Sequence, residues 1–318
     1  MERKYELPVG GIDYPRTLQE FDEWFSTEEQ CIEFLKKLRW SDGFVCPECN
    51  HDNGWDMAKG VIRCGNCRSD ISVLHGTVFH KTRKPLRVWF QAMWYMTNQK
   101  LGGSALGLQR VLGLGSYQTA WSWLHKMRHA MVRPDRDLLC GKVEIDETLI
   151  GGEQHGGKRG RGAENKHIVV IAVEVSDPKG FGRVRMQQIE SSSAENLFSF
   201  IKKNITPGTE IRTDSWTGYT NLNKIGYIHK KINVSDSGDP AHVSLPGVHR
   251  ISSLLKRWLL GTHQGSVSSK HLDYFLDEYT FRFNRRKSTS RGMLFFRLLQ
   301  QAVQIRAITY RELADEVF

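Results

Sequence analysis

Between residues 17 and 39 the apolar positions Leu18, Phe21, Phe25, Cys31, Phe34, Leu35 and Leu38 recur near helical spacing. Ser26-Thr27-Glu28-Glu29 supplies a second helix start inside that run. A tryptophan-rich helical stretch covers 84–133, with Trp89, Trp94, Trp121 and Trp123, and is broken by Gly102-Gly103 and by Gly113-Leu114-Gly115. Ser104–Leu112 leading through glycines into Tyr117–Met131 has the outline of a helix-turn-helix. A helical packing pair is the other reading of the same spacing. Arg133-Pro134-Asp135 ends the helical region.

From Lys142 the period changes to two. Lys142–Ile150 alternates, Ile168–Val175 is a β-branched run, and Arg183–Ile189 alternates again after the turn at Pro178-Lys179-Gly180. Ala194–Ile205 is an amphipathic helix with Leu197, Phe200 and Ile201 on one face, and Glu210–Thr213 is a short strand ending at Asp214. Helices are predicted at 215–224, 247–260, 269–283 and 292–302. Three strands as a meander, then a helix, a further strand and more helices predict a mixed α/β sheet. No internal repeat is visible. The longest apolar run, around Ile168–Val173, is far too short for a bilayer, so no membrane partner is expected. The opening residues carry no apolar signal segment, which makes the cytoplasm the expected compartment.

Length and charge narrow this picture. At 318 residues the chain has room for two or three domains. Its 45 Lys+Arg against 35 Asp+Glu give a net charge of +10, a balance that attracts polyanions such as nucleic acid. Cysteine usage adds chemistry. Cys46-Pro-Glu-Cys49 and Cys64-Gly-Asn-Cys67 are two matched C-x-x-C pairs, with hairpin-forming residues 51–54 and strand-like Val61-Ile62-Arg63 between them. Four thiolates in this grouping suit a tetrahedral zinc ion with no open position, and therefore a structural role. Cys31 and Cys140 sit among apolar neighbours and are predicted in the core.

Asp146 closes the alternating segment Val143-Glu144-Ile145-Asp146, and Asp214 closes Ile211-Arg212-Thr213. If the two strands are neighbours, these carboxylates meet and suit one or two Mg²⁺ ions; singly, each is an ordinary strand-end or turn residue. His249 starts an amphipathic helix in which Val248, Ile251, Leu255 and Trp258 are apolar. His249, Ser252, Ser253 and Lys256 form its polar stripe, which any solvated helix face would also show.

Together with the cysteine block, the stretches Val143–Gly152, Thr213–Tyr219, Leu255–His263 and Tyr274–Arg286 make the chain resemble the bacterial insertion-sequence transposases that carry an N-terminal zinc ribbon and an RNase-H-like DDE domain. The resemblance spans nearly the whole chain. It implies an RNase-H-like mixed sheet with flanking helices, and catalytic residues at Asp146, Asp214 and a third position seven residues before a helix lysine. Here these are His249 and Lys256, with 249 − 214 = 35 residues between the last two metal-site positions. Most members of the family have Glu where this chain has His249, and some branches carry Asn or His. Imidazole suits Mn²⁺ better than Mg²⁺, so His249 is expected to be a weak metal ligand or a hydrogen-bonding group. The resemblance further implies Mg²⁺ or Mn²⁺ at Asp146, Asp214 and His249, in-line attack on a phosphodiester, and Lys256 against a terminal phosphate. Double-stranded DNA is the implied partner, with a homo-dimer or higher oligomer in the DNA complex.

Two basic segments are candidate DNA contacts. Lys158, Arg159 and Arg161 lie in the glycine-rich loop 151–162, for which a plain surface loop is the alternative. Arg285 and Arg286, with Arg282 and Lys287, alternate with Phe281 and Phe283. The predicted organisation is a helical segment at 1–43, a zinc ribbon at 44–80, a helix-turn-helix-like region at 81–138, a catalytic domain at 139–302 and a tail at 303–318. The expected function is metal-dependent DNA cleavage and strand transfer. The competing expectation is a catalytically inactive, transposase-derived DNA-binding protein; a zinc-ribbon transcription factor would leave the α/β half unexplained.

Overall fold

The computed structural model describes residues 7–133, 135–151, 166–176, 180–232, 244–265 and 267–315. They fall into two compact units, one made of the chain up to Arg133 together with Lys287 onward, the other of the segment between them up to Arg286.

The first unit begins with α1 (Leu18–Trp24) and α2 (Glu28–Arg39). The break between them is set by Thr27, whose hydroxyl accepts from Gln30 N while the Gln30 side chain accepts from Thr27 N. Three short antiparallel strands follow, β1 (Gly54–Met57), β2 (Val61–Cys64) and β3 (Asp70–Ser72). Then come α3 (Leu86–Asn98), α4 (Ala105–Leu112) and α5 (Tyr117–His129). Gly113, at φ +60°, closes α4 in the left-handed conformation that a Cβ would oppose.

Phe21, Phe25, Phe34, Phe90, Trp94 and Phe295 pack largely edge to face, with centroids 4.9–6.2 Å apart in the pairs Phe21–Trp94, Phe25–Phe90 and Phe34–Phe90. Phe295 lies on α9 (Arg291–Ala302), so this helix completes the N-terminal core. The expected catalytic domain ran to residue 302; the last helix of that span instead packs against α2 and α3. Its Leu294, Phe295, Phe296 and Leu298 fit a helical core of either unit equally well by periodicity, which is why spacing alone misplaced it. A short α10 (Tyr310–Asp315) ends the unit.

The second unit is a five-stranded sheet in the order β6-β5-β4-β7-β8. β4 (Lys142–Ile150), β5 (His167–Val175) and β6 (Phe181–Ile189) form an antiparallel meander, and β7 (Glu210–Thr213) and β8 (Ile228–Lys231) add parallel to β4 on its other side. This is the mixed, RNase-H-like sheet that the resemblance implied. One face, with Val169, Ile171, Val173, Val184 and Met186, is covered by α7 (Pro246–His263) and α8 (Ser269–Asn284). The opposite face, with Val143, Ile145, Val170, Ala172 and Ile211, is covered by α6 (Ala194–Asn204) and by Tyr219, Leu222 and Tyr227. β5 is apolar on both faces because both are buried.

Two elements differ from the sequence expectation. In place of a helix at 215–224 there are two 3-10 turns, Thr217–Tyr219 and Leu222–Ile225. The Asp214 carboxylate accepts from Trp216 N at 3.0 Å, and the Trp216 indole donates to Ser192 O at 3.0 Å, which holds the chain in tight turns. β8 went unpredicted because Ile228-His229-Lys230-Lys231 has no apolar alternation; it is a lysine-bearing edge strand. Cys140, expected in the core, is exposed just ahead of β4, whereas Cys31 is fully buried. No helix among the described residues is long and apolar enough to cross a membrane.

Candidate active site

Side chains alternate along β4, and this parity sorts its polar residues. Val143 and Ile145 face α6, so Glu144, Asp146 and Thr148 face α7. Each of the three meets that helix. The buried Glu144 carboxylate accepts from Gly247 N at 2.7 Å and Val248 N at 3.0 Å. Leu245, the residue at the N-cap position, offers no side-chain cap, so the sheet supplies one to the positive end of the helix. Burial pushes the Glu144 carboxyl up, while the Val248 and Gly247 amides, Arg212 and His249 pull it down. Farther along, Ser252 Oγ donates to Thr148 Oγ1 at 2.8 Å.

Between these two ties, His249 Nε2 lies 3.9 Å from Asp146 Oδ2. Both side chains are partly exposed, at 31% and 20%. Asp146 Oδ1 accepts from Glu147 N at 2.8 Å, which fixes the carboxylate rotamer and leaves Oδ2 toward the helix. Gly247 is required by this approach. A Cβ there would lie 2.8 Å from Glu144 Oε2 and 3.0 Å from Val175 Cγ1.

Asp214 reaches the same end of the sheet through the parallel register. Val143 pairs with Ile211 and Glu144 with Arg212, so Asp214, just past β7, follows at the same end of the sheet as Asp146. The ligand atoms of Asp146, Asp214 and His249 do not all lie within 4.8 Å of one another. Lys256 lies two turns beyond His249 on the same helix and is exposed to solvent. Partial desolvation and Lys166 push its ammonium down from the ordinary lysine range, while Asp146 pulls it up.

Glu144, Thr148, Ser252, Glu147 and Tyr219 escaped the sequence reading as contributors. Glu147 lies on the opposite side of β4 from Asp146, where it accepts a hydrogen bond from the hydroxyl of fully buried Tyr219. Burial first, then Glu147, Asp146 and Asp214, push that phenol well above its usual range. The period-two parity of β4 was a usable signal for Glu144 and Thr148; nothing in the sequence pairs Glu147 with Tyr219.

The candidate DNA-contacting arginines are engaged within their own unit. The Arg285 guanidinium lies 4.0 Å from the Phe281 ring centroid and donates to Phe281 O at 3.3 Å. Arg286 stacks at 4.0 Å on Phe283 and donates to the carbonyls of Phe181 and Gly182, tying the end of α8 to the start of β6. Arg282 pairs with buried Glu278 at 2.8 Å. Lys158, Arg159 and Arg161 lie outside the described residues.

Metal-binding capacity differs between the two units. Among the described residues, only Cys46, Cys49, Cys64 and Cys67 bring three or more His, Cys, Asp or Glu ligand atoms within 4.8 Å of one another. Tetrahedral Zn–S bonds of about 2.3 Å separate sulfurs by about 3.8 Å. Cys46 Sγ lies 3.7 Å from Cys67 Sγ, and Cys49 Sγ lies 3.6 Å from Cys64 Sγ, so the four thiols fit zinc. The two knuckles are built alike. Asn50 N donates to Cys46 O and Arg68 N to Cys64 O, and Asn50 and Arg68 close the turns at φ +58° and +64°. Ligands of one octahedral Mg²⁺ ion with bonds of about 2.1 Å lie about 3.0 Å apart when adjacent and about 4.2 Å when opposite. The Asp146–His249 separation of 3.9 Å lies between these two values and matches neither.

Residues 138–284 match the ISXO2-like transposase domain, and residues 26–70 match the transposase zinc-ribbon domain. A Halobacterium salinarum protein, described as an uncharacterized protein in transposable element ISH50, is 25% identical over 287 residues, 81% of this chain and 91% of that one. The catalytic core domain of BIV integrase aligns over 48% of this chain and 88% of its own, at 19% identity and a TM-score of 0.32. The first family match covers the sheet unit with Asp146, Asp214 and His249, and the second covers the cysteine pairs. The chain thus carries the zinc-ribbon and ISXO2-like domains of insertion-sequence transposases.

Proposed function

We propose that this transposase binds the terminal repeats of its element and catalyses divalent-metal-dependent DNA cleavage and strand transfer at Asp146, Asp214 and His249. The approach of His249 Nε2 to Asp146 Oδ2 carries this reading most directly, because it joins a helix residue to a strand residue 103 positions earlier (249 − 146 = 103). The two carboxylates and the imidazole would hold Mg²⁺ or Mn²⁺. A cation so held supplies Lewis acidity, which lowers the pKa of an attacking water or 3′-hydroxyl and stabilises charge on the phosphate oxygens.

The chain's own residues set the geometry. Glu144 and the Ser252–Thr148 pair fix α7 on the sheet, so His249 faces Asp146 without depending on a ligand for its position. Asp146 is held through Oδ1 by Glu147 N and presents Oδ2 toward His249. Lys256 places a cation two turns along the helix, suited to a phosphate close to the reacting end. His249, a neutral one-point donor in place of a carboxylate, shifts the preference toward Mn²⁺. Joining two element ends calls for at least a dimer in the DNA complex, and duplex DNA is both donor and target.

A strand-cleavage assay on terminal-repeat DNA tests the proposal. Asp146→Asn and Asp214→Asn are expected to lose on the order of 10²-fold or more in rate, beyond the 10–100-fold typical of a supporting residue around a metal. His249→Ala should lose activity in both Mg²⁺ and Mn²⁺, and undiminished activity would remove His249 from the site. Tight binding with no cleavage by the unsubstituted protein in either metal would favour a catalytically inactive DNA-binding protein.

A further inference from the structure

A cavity of about 540 Å³ opens in the N-terminal unit between residues 78–84, α5 and Tyr310. Lys81, Arg83, Lys84 and Lys126 line it along with His80, and no carboxylate does. Among the described residues, none of these four cations has a carboxylate within ion-pair distance. Glu312, the acid that acts on Lys126 from nearby, is already engaged by Arg306 and by Thr309 N at 2.8 and 2.6 Å.

Ring stacking and hydrogen bonds brace the walls. Trp89 and Trp123 stack at 3.7 Å beneath the cavity, and the Trp89 indole donates to Thr82 Oγ1 at 2.8 Å. The same hydroxyl accepts from Lys84 N at 3.3 Å, which pins the loop carrying Arg83. Lys81 is held at φ +54°, a left-handed backbone conformation uncommon for a non-glycine residue. Four like charges around one concavity repel one another, and the concavity focuses their field. Burial, then His75, Lys81 and Lys126, push the His80 imidazole down. An anion seated there would relieve the repulsion.

What α5 exposes decides how such an anion is read. Ser122, Trp123, Leu124, His125, Met127 and Arg128 are buried, so the helix cannot enter a major groove along its length. Its first turn, with Gln118 and Thr119 on the cavity wall, remains available. We propose that this cleft seats the sugar-phosphate backbone of duplex DNA, with Lys81, Arg83, Lys84 and Lys126 as its phosphate contacts. The assignment rests on the proposed function only in taking DNA as the polyanion.

The test is equilibrium binding of the full, zinc-loaded chain to a fluorescent element-end duplex and to an unrelated duplex of equal length, across a salt series. It is run in an Asp146→Asn background, so that cleavage plays no part in the result. Combining Lys81→Ala, Arg83→Ala and Lys84→Ala should flatten the slope of log K against log salt by about 2–3, at about 0.9 per lost phosphate contact. Lys126→Gln should flatten it by about 1, and Lys126→Arg should restore it. Affinity should fall by the same factor on both duplexes, since phosphate contacts carry no sequence information. Unchanged slope and affinity in variants of normal zinc content and melting temperature would overturn the proposal. So would a loss confined to the element-end duplex, which would indicate base reading. Displacement of the duplex by inorganic phosphate, at an ionic strength where chloride has no effect, would make the cleft a small-anion site instead. Failure of cleavage in the unsubstituted protein would leave these binding results standing.

Discussion

Glu144 accepts two amides from a helix that begins more than a hundred residues later, from a position only two residues before Asp146. Removing its carboxylate leaves both N–H groups buried without a partner. Glu144→Ala is therefore expected to lower the unfolding free energy by about 1–3 kcal/mol, read from urea midpoints, with Glu144→Gln recovering part of the loss. A second carboxyl in the same unit acts through pH. Asp277 on α8 is pushed up to about 7, by burial first and then by Asp273, against Arg136 and Lys203. A carboxyl raised in the folded state binds its proton more tightly there. Its contribution is complete below about pH 4 and is lost as pH rises through about 7. The urea midpoint of the protein relative to that of Asp277→Asn should accordingly fall between pH 4 and 8. A constant difference across that range would sink the assignment.

At the level of elements, α7 is the part on which the site depends. Its polar stripe was legible because His249, Ser252 and Lys256 recur at helical spacing, and its apolar stripe packs on the sheet as read. The polar contacts that seat it were less legible, since they pair residues about a hundred positions apart. β8 and the 3-10 turns escaped for a different reason. A local side-chain bond at Asp214 and longer-range hydrogen bonds by Trp216 and His229, not hydrophobic periodicity, define them. Gly247 concentrates the packing of α7 into one atom. Gly247→Ala places a methyl against Glu144 Oε2, Val173 and Val175, and it should cost about 1–3 kcal/mol in thermal or urea unfolding. It should also reduce strand cleavage by more than Ser253→Ala, a change on the exposed side of the same helix.

Over the whole molecule, the six cysteines divide into three environments that a thiol titration can count. Cys140 is exposed, Cys31 is fully buried, and four cysteines share the ribbon site. The zinc-loaded protein should show one fast-reacting thiol, chelation should release four more, and the sixth should react only on unfolding. Release of fewer than four by a chelator would refute the four-thiol ion. The cysteine pairs gave that site away in the sequence, because their ligands are neighbours along the chain. The sheet is different, and its strand order has a consequence for how the protein comes into being. The β4-β5-β6 meander forms from neighbouring segments, so Asp146 is framed early in folding. Asp214 joins it only after β7 returns across α6 to pair with β4, 68 residues on (214 − 146 = 68), and His249 follows later still. A chain emerging from the ribosome thus carries the site's first carboxylate long before its partners. On the proposed function, the set of Asp146, Asp214 and His249 is complete only when the last crossover closes.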